Sequence, residues 1–386
     1  MKKAVQFGAG NIGRGFLGQL FSASGYEVVF VDINPRLVSL LNQRRSYPLR
    51  VATQPPREVT VMNVRAVDGK DVHKVGEEVA GADIVGMAVG VNNLPGIIPA
   101  LASGICQRAD QEIPIPLNVI IAENLREAEK VLGGMVLEAS PSKYHPFIKT
   151  QIGFVETVIG RMVPVMTEEL QKLDPLLLLV EEYQELPVNK KGFVGDIPTI
   201  KNMYPEDNFG SFVDRKFYIH NASHAVTAYL GYLRGYEYIW QAICDFQIRT
   251  LVVGALEEAK QALIARHAMD KQRLEEHIQD ILRRYANQVL GDTVVRVAKD
   301  PLRKLSPSDR LVGAARLVEE YGLVPVNLSW GIAAALRYDY PGDKEAVLLQ
   351  AKLREKGMEE VLPEVCGIKS SERLAEMVKD KFSRLK

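Results

Sequence analysis

Two kinds of hydrophobic periodicity divide the chain. The first half contains short apolar runs bounded by glycine or polar residues, among them KAVQF, EVVFVD, ADIVGMAVG and PLNVIIAEN. Continuous apolar runs of this length are typical of buried parallel strands. From Phe209 onward, apolar residues recur every three or four positions, as in LEEHIQDILRRY, which is the period of an amphipathic helix. The pattern predicts an α/β first domain and a mostly α-helical second domain.

The length fits this division, since 386 residues exceed the usual size of a single hydrophobic core and 47% of them are hydrophobic. Residues 152–165, IGFVETVIGRMVPV, predict one more pair of strands in the first domain. Leu186 to Asn208 is rich in Pro, Gly, Asn and Lys, which favours a transition between domains. We therefore predict that residues 1–195 form the first domain and residues 196–386 the second.

A glycine-rich turn follows the first predicted strand. Gly8, Gly10 and Gly13 lead into a helical face of Phe and Leu residues, and the strand EVVFVD then ends at Asp32. In a strand, turn, helix and strand of this kind, the glycines permit a tight turn and close approach to a pyrophosphate. The first domain is therefore predicted to be of the Rossmann type, with a cofactor site at Phe7, Gly8, Gly10, Asn11, Ile12, Gly13, Asp32, Val89 and Gly90.

The residue at the end of the second strand indicates which dinucleotide binds. A carboxylate at Asp32 accepts hydrogen bonds from ribose hydroxyls and repels a 2′-phosphate, so NAD is favoured over NADP. The alternative is that Asp32 only forms the turn before Pro35. Glu123 and Asn124 are further candidates, because they follow a predicted parallel strand whose end faces the crevice, although polar residues there are also common turn formers.

Charge and composition narrow the class of partner. Lys and Arg number 48, as do Asp and Glu, without a concentration of one sign, so neither nucleic acid nor an anionic membrane is indicated and a small molecule is expected. The N-terminal segment lacks the pattern of a signal peptide, which predicts a cytoplasmic protein. The three cysteines and six histidines are scattered, so we predict no metal site.

The stretch KFYIHNASH places Lys216, Asn221 and His224 five and then three residues apart. A strand would send Lys216 and Asn221 to opposite faces, whereas an α-helix puts His224 about 80° and Asn221 about 140° round from Lys216. A desolvated lysine can act as a general base, an asparagine can hold a developing alkoxide, and a histidine can orient the same hydroxyl. The alternative is structural: a lysine at a helix start, a local cap and a satisfied core histidine.

A second polar block, DPLRKLSPSDRL, covers residues 300–311. Ser306 predicts a helix cap with Pro307 at the first helical position, which leaves Arg303 and Lys304 just ahead of a helix N-terminus. This is a favourable place for an anion, and the alternative is a solvated basic pair.

The sequence resembles the polyol-specific long-chain dehydrogenase/reductase family, whose signature is Lys, four residues, Asn, two residues and His. The resemblance extends over nearly the whole chain, through FGAGNIGRGF, AEN, RKFYIHNASHAVTAYLGY, PLRKLSPSDRLVG, GIAAALRYD and EVCGI. It implies a monomeric, metal-independent enzyme with NAD as cofactor. Mannitol 1-phosphate and fructose 6-phosphate are the substrate pair that it favours.

The resemblance also implies roles for individual residues. Lys216 is expected to deprotonate the substrate hydroxyl, Asn124 and Asn221 to hold the reacting oxygen, and His224 to position it. His220 does not match the signature and is expected to be structural. The substrate phosphate is expected to bind a cationic group made of Arg303, Lys304 and Arg310.

Some positions depart from the family pattern. The motif reads Asn-Ala-Ser-His where Asn-Thr-Gly-His is usual, and GRMVP lacks the aspartate normally found before Arg161. Three alternatives therefore stay open: an unphosphorylated hexitol, a hexuronate-derived sugar acid, and a nucleotide-sensing protein without turnover. The lysine of the signature disfavours the last, because a sensor needs no base.

Overall fold

The computed structural model describes residues 1–125, 127–164, 166 and 168–385, without the side chains of residues 168 and 169. The chain forms two compact units, Met1–Phe209 and Gly210–Lys386. The first unit continues past the predicted boundary after residue 195. Taken separately, the units have the two predicted architectures, a parallel α/β sheet and a helical domain.

The first unit contains all the strands that are assigned among the described residues. The strands are β1 (Lys3–Phe7), β2 (Glu27–Asp32), β3 (Ser46–Val51), β4 (Arg57–Met62), β5 (Val64–Asp68), β6 (Ile84–Met87), β7 (Leu117–Ile121), β8 (Ile152–Glu156), β9 (Leu178–Val180), β10 (Leu186–Asn189) and β11 (Met203–Glu206). The helices of this unit are α1 (Gln19–Ala23), α2 (Pro35–Arg44), α3 (Val72–Ala80), α4 (Leu94–Asp110), α5 (Ala128–Ala139), α6 (His145–Gln151) and α7 (Glu168–Leu173), and a π-helix (Gly13–Gly18) precedes α1.

Six strands form the main sheet, in the order β5-β2-β1-β6-β7-β8, and all pair in parallel. The strand order reverses next to β1, where parallel α/β sheets bind ligands at their carboxyl edge. Each predicted strand of the opening βαβ unit is confirmed, and the predicted apolar helix face is fully or almost fully buried through Phe16, Leu17, Leu20 and Phe21.

One expectation about the end of this unit is wrong. The described part of residues 152–165, which ends at residue 164, contains one strand, β8, rather than a pair. Beyond it the buried Arg161 side chain donates to the main-chain oxygens of Glu181 and Gly15, at 2.7 and 2.8 Å, which holds this segment against the core outside the sheet. Leu186–Asn208 contributes β10 and β11, which pair in parallel, and the division between the two units follows directly after this segment, at Phe209.

The second unit is helical throughout its assigned elements. The helices are α8 (Phe209–Arg215), which begins at the last residue of the first unit, α9 (Ala222–Leu233), α10 (Ile239–Cys244), α11 (Phe246–His267), α12 (Lys271–Tyr285), α13 (Val294–Ala298), α14 (Pro301–Lys304), α15 (Val312–Glu320), α16 (Val326–Arg337), α17 (Lys344–Cys366) and α18 (Arg373–Arg384), and a second π-helix (Lys216–Asn221) joins α8 to α9. Helix α17 is kinked at Gly357, where φ is 72°.

Aspartate side chains lie at the start of α11 and shortly before the start of α15 in this unit. The helical period of residues 239–266 is broken at Asp245, whose carboxylate accepts the amides of Gln247 and Ile248 and so caps α11. The predicted helix start at Pro307 is wrong. Residues 305–311 form turns and α15 begins at Val312, because the carboxylate of Asp309 pairs with neighbouring arginines and its main-chain oxygen accepts the amide of Gly313.

The hydropathy of the helices adds one finding. Over the described part of the chain, none of the helices combines the length and apolar character that crossing a bilayer requires.

Candidate active site

The glycine-rich turn of the first unit depends on the absence of side chains at two positions. Gly8 has a φ of +85°, and a Cβ there would lie 2.3 Å from the main-chain oxygen of Ala88. A Cβ on Gly13 would lie 1.9 Å from the oxygen of Gly8. Gly10 is different, because a Cβ there would meet nothing within 4 Å. The turn therefore exposes backbone at Gly10, as the approach of a pyrophosphate requires.

Asp32 ties this turn to the end of β2. Its Oδ2 accepts the amide of Ala9 at 2.8 Å, and its Oδ1 accepts the amide of Asn34 at 2.9 Å. Each carboxylate oxygen has a second lone pair, so the residue keeps acceptor capacity for ribose hydroxyls. Asp32 is thus both a turn-forming residue and a possible ligand, and the two interpretations from sequence are compatible.

A cavity of about 670 Å³ opens beside the turn. It lies between the glycine-rich segment, α2 and a stretch that contains Met166 and residues 171–178, and polar and apolar residues line it in equal number. Its polar lining includes Asn11, Arg14, Asn34, Arg36 and Gln171. Asn11 also donates to the main-chain oxygen of Pro164 at 3.3 Å.

The main-chain amides of two predicted cofactor-binding residues, Val89 and Gly90, already donate hydrogen bonds within the protein. The amide of Val89 donates to Glu123 Oε1 at 2.7 Å, and the amide of Gly90 donates to Oε2 at 3.0 Å. Burial raises the pKa of Glu123, and these two hydrogen bonds partly offset that rise. Val89 and Gly90 therefore do not offer free amides to a phosphate, and Glu123 links the ends of β6 and β7.

The other predicted positions in the first unit differ in exposure. Phe7 is fully buried, so its side chain belongs to the core, whereas Ile12 is half-buried. Asn124 is exposed just after β7. Its expected contact with the reacting oxygen stays a prediction.

In the second unit, Lys216, Asn221 and His224 lie on one continuous helical segment, which confirms the predicted helix but not its α geometry. Lys216 to Asn221 form a π-helix, and His224 follows in α9. In a π-helix hydrogen bonds join residues i and i+5. A spacing of five is then roughly one turn, so Lys216 and Asn221 share a face more closely than an α-helix would allow.

Lys216 has the electrostatic character of a general base. The residue is partly buried, and burial together with the charge of Arg310 lowers the pKa of its ammonium to about 8. Both causes disfavour the charged form. A substantial fraction of the side chain is therefore a neutral amine near pH 8.

His224 is enclosed by residues from distant parts of the chain. Its Nε2 lies 3.0 Å from Asp292 Oδ2, and its ring stacks on Tyr285 with centroids 4.6 Å apart. Burial lowers the pKa of the imidazole, and contact with Asp292 only partly offsets this effect. Neither Asp292 nor Tyr285 was identified from the sequence, since no local pattern connects them to the KFYIHNASH stretch.

His220 is buried against the same aromatic ring. Its main-chain oxygen accepts the hydroxyl of Tyr285 at 2.6 Å, and burial holds the pKa of its imidazole well below the ordinary value. The side chain is thus neutral and packed in the unit. In the described parts of the chain, no cluster of three or more His, Cys, Asp or Glu side chains could hold a metal ion.

The three predicted phosphate-binding residues differ in exposure and in the contacts that they make. Arg303 is 48% exposed and pairs with Asp309 at 3.2 Å, while Arg310 is 13% exposed and bonds the other oxygen of Asp309 at 2.7 Å. Lys304 is buried, and its Nζ donates to the main-chain oxygens of Val297, at 2.6 Å, and of Lys299. Burial, followed by the charges of the two arginines, lowers the pKa of Lys304 to about 7. The arginines are therefore better placed than Lys304 to meet an anion.

Two family models match the chain. The model of the mannitol dehydrogenase Rossmann domain matches residues 2–202, and the model of the mannitol dehydrogenase C-terminal domain matches residues 208–386. Together they cover both units with a short interval between them.

Curated relatives match over the full length. A mannitol-1-phosphate 5-dehydrogenase from Brevibacillus brevis is 42% identical over 383 residues, covering 99% of this chain and 98% of the relative. An enzyme of the same name from Geobacillus stearothermophilus is 37% identical and covers 99% of this chain and 100% of the relative.

Solved structures share the fold at low sequence identity. Mannitol 2-dehydrogenase of Pseudomonas fluorescens, in a ternary complex with NAD and D-mannitol, has a TM-score of 0.76 at 15% identity and covers 100% of this chain and 92% of that one. A substrate-free D-sorbitol dehydrogenase has a TM-score of 0.81 at 16% identity, covering 99% and 93%. With both domain models and full-length relatives in agreement, the chain belongs to the mannitol dehydrogenase family.

Proposed function

We propose that the chain is an NAD-dependent, metal-independent dehydrogenase that interconverts mannitol 1-phosphate and fructose 6-phosphate. The observation that carries this proposal is Lys216, an amine with a pKa of about 8 on the same π-helical turn as Asn221. Relatives named for this reaction match nearly the entire chain, which supports the choice of substrate.

The first unit suits NAD. Gly10 leaves the space that a pyrophosphate needs, and Asp32 presents acceptor oxygens for ribose hydroxyls while its charge disfavours a 2′-phosphate. When bound, NAD⁺ supplies the hydride acceptor. The overall change removes a hydride from the carbon and a proton from its hydroxyl, so that a secondary alcohol becomes a ketone.

Lys216 takes the hydroxyl proton. Its neutral amine accepts the proton from the substrate oxygen as the carbonyl forms, and in the reverse direction its ammonium returns the proton. The nearby charge of Arg310 disfavours the ammonium, which helps to pass the proton on to solvent after oxidation. A lysine in ordinary water-exposed surroundings, with a pKa near ~10.4, would be mostly protonated at neutral pH.

Asn221 and His224 act on the same oxygen in this proposal. The Asn221 amide donates a hydrogen bond to the oxygen as negative charge develops on it, and the neutral imidazole of His224 fixes the direction of the hydroxyl. The expected contribution of Asn124 to this step stays a prediction.

The substrate phosphate is assigned to Arg303 and Arg310. Asp309 holds the two guanidinium groups through its two oxygens, and neither arginine uses all its donors in these contacts. Lys304 is not assigned a direct contact with the phosphate, because its Nζ is held by main-chain oxygens. The monomeric state and the cytoplasmic location expected from the sequence stay predictions.

A substrate panel tests the assignment. Mannitol 1-phosphate, mannitol and a hexuronate-derived sugar acid would each be offered with NAD⁺, and formation of NADH would be followed by absorbance. Mannitol 1-phosphate should have the highest kcat/KM by at least tenfold. Equal turnover of free mannitol would contradict phosphate recognition, and absence of turnover with every compound would favour the nucleotide-sensing alternative.

The phosphate site is tested with Arg303→Ala. A charge-assisted contact is worth about 1.5–3 kcal/mol, so KM for mannitol 1-phosphate should rise at least tenfold. Arg384→Ala is the control, because Arg384 is also partly exposed and paired with an aspartate, Asp380, but lies in the C-terminal helix α18. An unchanged KM in Arg303→Ala would remove this residue from the site.

A further inference from the structure

We propose that Asp292 is a positioning residue that fixes the orientation and tautomer of His224. Asp292 has no role in the site predicted from the sequence, and it lies 68 positions after His224, in the irregular segment just before α13. The inference depends on the dehydrogenase function proposed for the chain, because only in that reaction does the free nitrogen of His224 face a substrate hydroxyl.

The two side chains meet through atoms that have no other partner. His224 Nε2 and Asp292 Oδ2 are 3.0 Å apart, and both side chains are almost entirely buried. Neither atom makes a complete hydrogen bond within the described part of the protein, so this short contact is the interaction that each of them has. A small rotation of the imidazole would complete the bond, and a buried polar group that is left without a hydrogen bond is destabilising.

The contact determines where the imidazole carries hydrogen. If the nitrogen facing the carboxylate had a lone pair, it would repel the oxygen at this distance, so that nitrogen must carry the hydrogen. In a neutral imidazole the other nitrogen is then an acceptor. His224 can therefore accept a hydrogen bond from a substrate hydroxyl.

Asp292 is rigid enough to impose this orientation. Its Oδ1 accepts from Arg296 Nε at 2.7 Å, and its main-chain oxygen accepts the amide of Ile239 at 2.9 Å. Tyr238 and Thr293 also form an antiparallel bridge beside it. The carboxylate is thus fixed through both its side chain and its backbone.

Charge favours the same arrangement. Burial alone would raise the pKa of Asp292, but contacts with His224 and Arg296 outweigh burial and lower it, so the carboxylate stays charged. Burial lowers the pKa of His224, and the charges of Arg296 and Lys304 lower it further, which keeps the imidazole neutral. Tyr285 covers one face of the ring, with an interplanar angle of 13°.

The experiment compares Asp292→Asn with the unmodified protein. Asparagine has nearly the same shape but no charge, and its amide can either donate or accept, so the imidazole tautomer is no longer fixed. We expect kcat for mannitol 1-phosphate to fall ~10–100-fold through misorientation of the substrate. KM and NADH affinity should change by less than about threefold, because His224 is not proposed to bind the phosphate or the cofactor.

A ring-nitrogen NMR measurement reads the tautomer directly. In the unmodified protein His224 should be neutral with hydrogen on Nε2, whereas Asp292→Asn should give a mixture of the two tautomers. Asp292→Glu should recover part of the lost kcat, since it restores the carboxylate. Asp280→Asn is the control, because Asp280 also pairs with arginines but lies on the partly exposed face of α12.

Several outcomes would overturn the inference. An imidazole with hydrogen mainly on Nδ1 in the unmodified protein is one, and this measurement remains possible even when a variant fails to fold. A second is an Asp292→Asn variant with kcat within twofold of normal. Failure of the proposed dehydrogenase function can be told apart from failure of the inference about Asp292. A protein that turns over no polyol would still show hydrogen on Nε2 of His224 if Asp292 sets the tautomer.

Discussion

The two π-helical segments show one backbone geometry used for opposite purposes. Gly13–Gly18 in the first unit is half glycine and wholly buried, whereas Lys216–Asn221 in the second unit begins and ends with polar side chains. In the first segment a Cβ on Gly18 would lie 2.6 Å from Phe30 and 2.8 Å from the hydroxyl of Tyr47. At its glycine positions, the absence of a side chain is what permits the close packing.

In the second segment the side chains themselves matter. The wider turn moves Asn221 round toward Lys216, which an α-helix of the same sequence would keep about 140° away. The comparison teaches that a π-turn can serve close packing or can align residues five apart, and the residue types distinguish the two uses. Substitutions in the first segment should therefore affect stability, and those in the second should affect turnover.

The largest effect is expected for Lys216→Met, which removes the amine but keeps an unbranched side chain. Loss of a general base should lower kcat ~10²–10⁴-fold, with NADH affinity unchanged. Because the pKa of Lys216 is lowered to about 8, oxidation by the unmodified enzyme should rise with pH up to that region as the ammonium loses its proton. The variant should lack this rise.

The exposed Lys271 at the start of α12 provides the control, and Lys271→Met should retain normal kinetics. Near-normal turnover of Lys216→Met, with an unaltered pH profile, would assign Lys216 a structural role and remove the distinction between the two segments.

A smaller loss of turnover is expected for Asn221→Ala. Removal of one donor to a developing oxyanion typically costs ~10²–10³-fold in kcat. Asn221→Asp should behave similarly, because it keeps the shape of the side chain but replaces the donor with an acceptor. Both variants should have a melting temperature close to that of the unmodified protein, as measured by calorimetry. A large drop in melting temperature with kcat preserved would mean that this segment, like the first, serves packing.

A loss of stability is expected for Gly18→Ala. The added Cβ meets Phe30, Tyr47 and the main-chain oxygen of Gly13, and overpacking of this kind costs about 1–3 kcal/mol in the free energy of unfolding. Gly10→Ala is the matched control, since nothing lies within 4 Å of its Cβ. Urea unfolding should show a loss only for Gly18→Ala, whereas NADH titration should show weaker binding for Gly10→Ala. Equal stability of the two variants would contradict the packing role.

The smallest effect is expected for Asp32→Asn, measured as the ratio of kcat/KM with NAD⁺ to that with NADP⁺. Loss of the negative charge should reduce the preference for NAD⁺ about tenfold, because the repulsion of a 2′-phosphate disappears. A preference for NADP⁺ in the unmodified protein would contradict the proposed role of Asp32.

Much of the first unit could be predicted from sequence because its signals are local. The strand ending at Asp32, the glycine positions and the buried helix face follow from short-range patterns, and each was found as expected. Residues 158–164 do not form the predicted second strand, because their conformation depends on Arg161, which donates to the main-chain oxygens of Gly15 and Glu181, both remote in sequence.

The second unit shows the limits of periodicity. The motif around Lys216 indicated a helix, but the change from α to π hydrogen bonding has no signal in residue types alone. The turns before Val312 were likewise missed, because Ser306 and Pro307 resemble a helix start while Asp309 pairs with arginines instead. Asp292 could not be linked to His224 from sequence, because only the tertiary fold brings the two together.

The hydrogen bonds of the Glu123 carboxylate determine which substitutions positions 89 and 90 can accept. It holds the loop after β6 through the main-chain amides of Val89 and Gly90, and the side chain of Asn93 donates a hydrogen bond to the main-chain oxygen of Val89 at 2.7 Å. Since every residue except proline supplies the same amide, position 89 can accept many substitutions without loss of the anchor. Position 90 is restricted by its φ of +87°, which favours glycine. Neighbouring residues in one loop are thus under different constraints, one chemical and the other conformational.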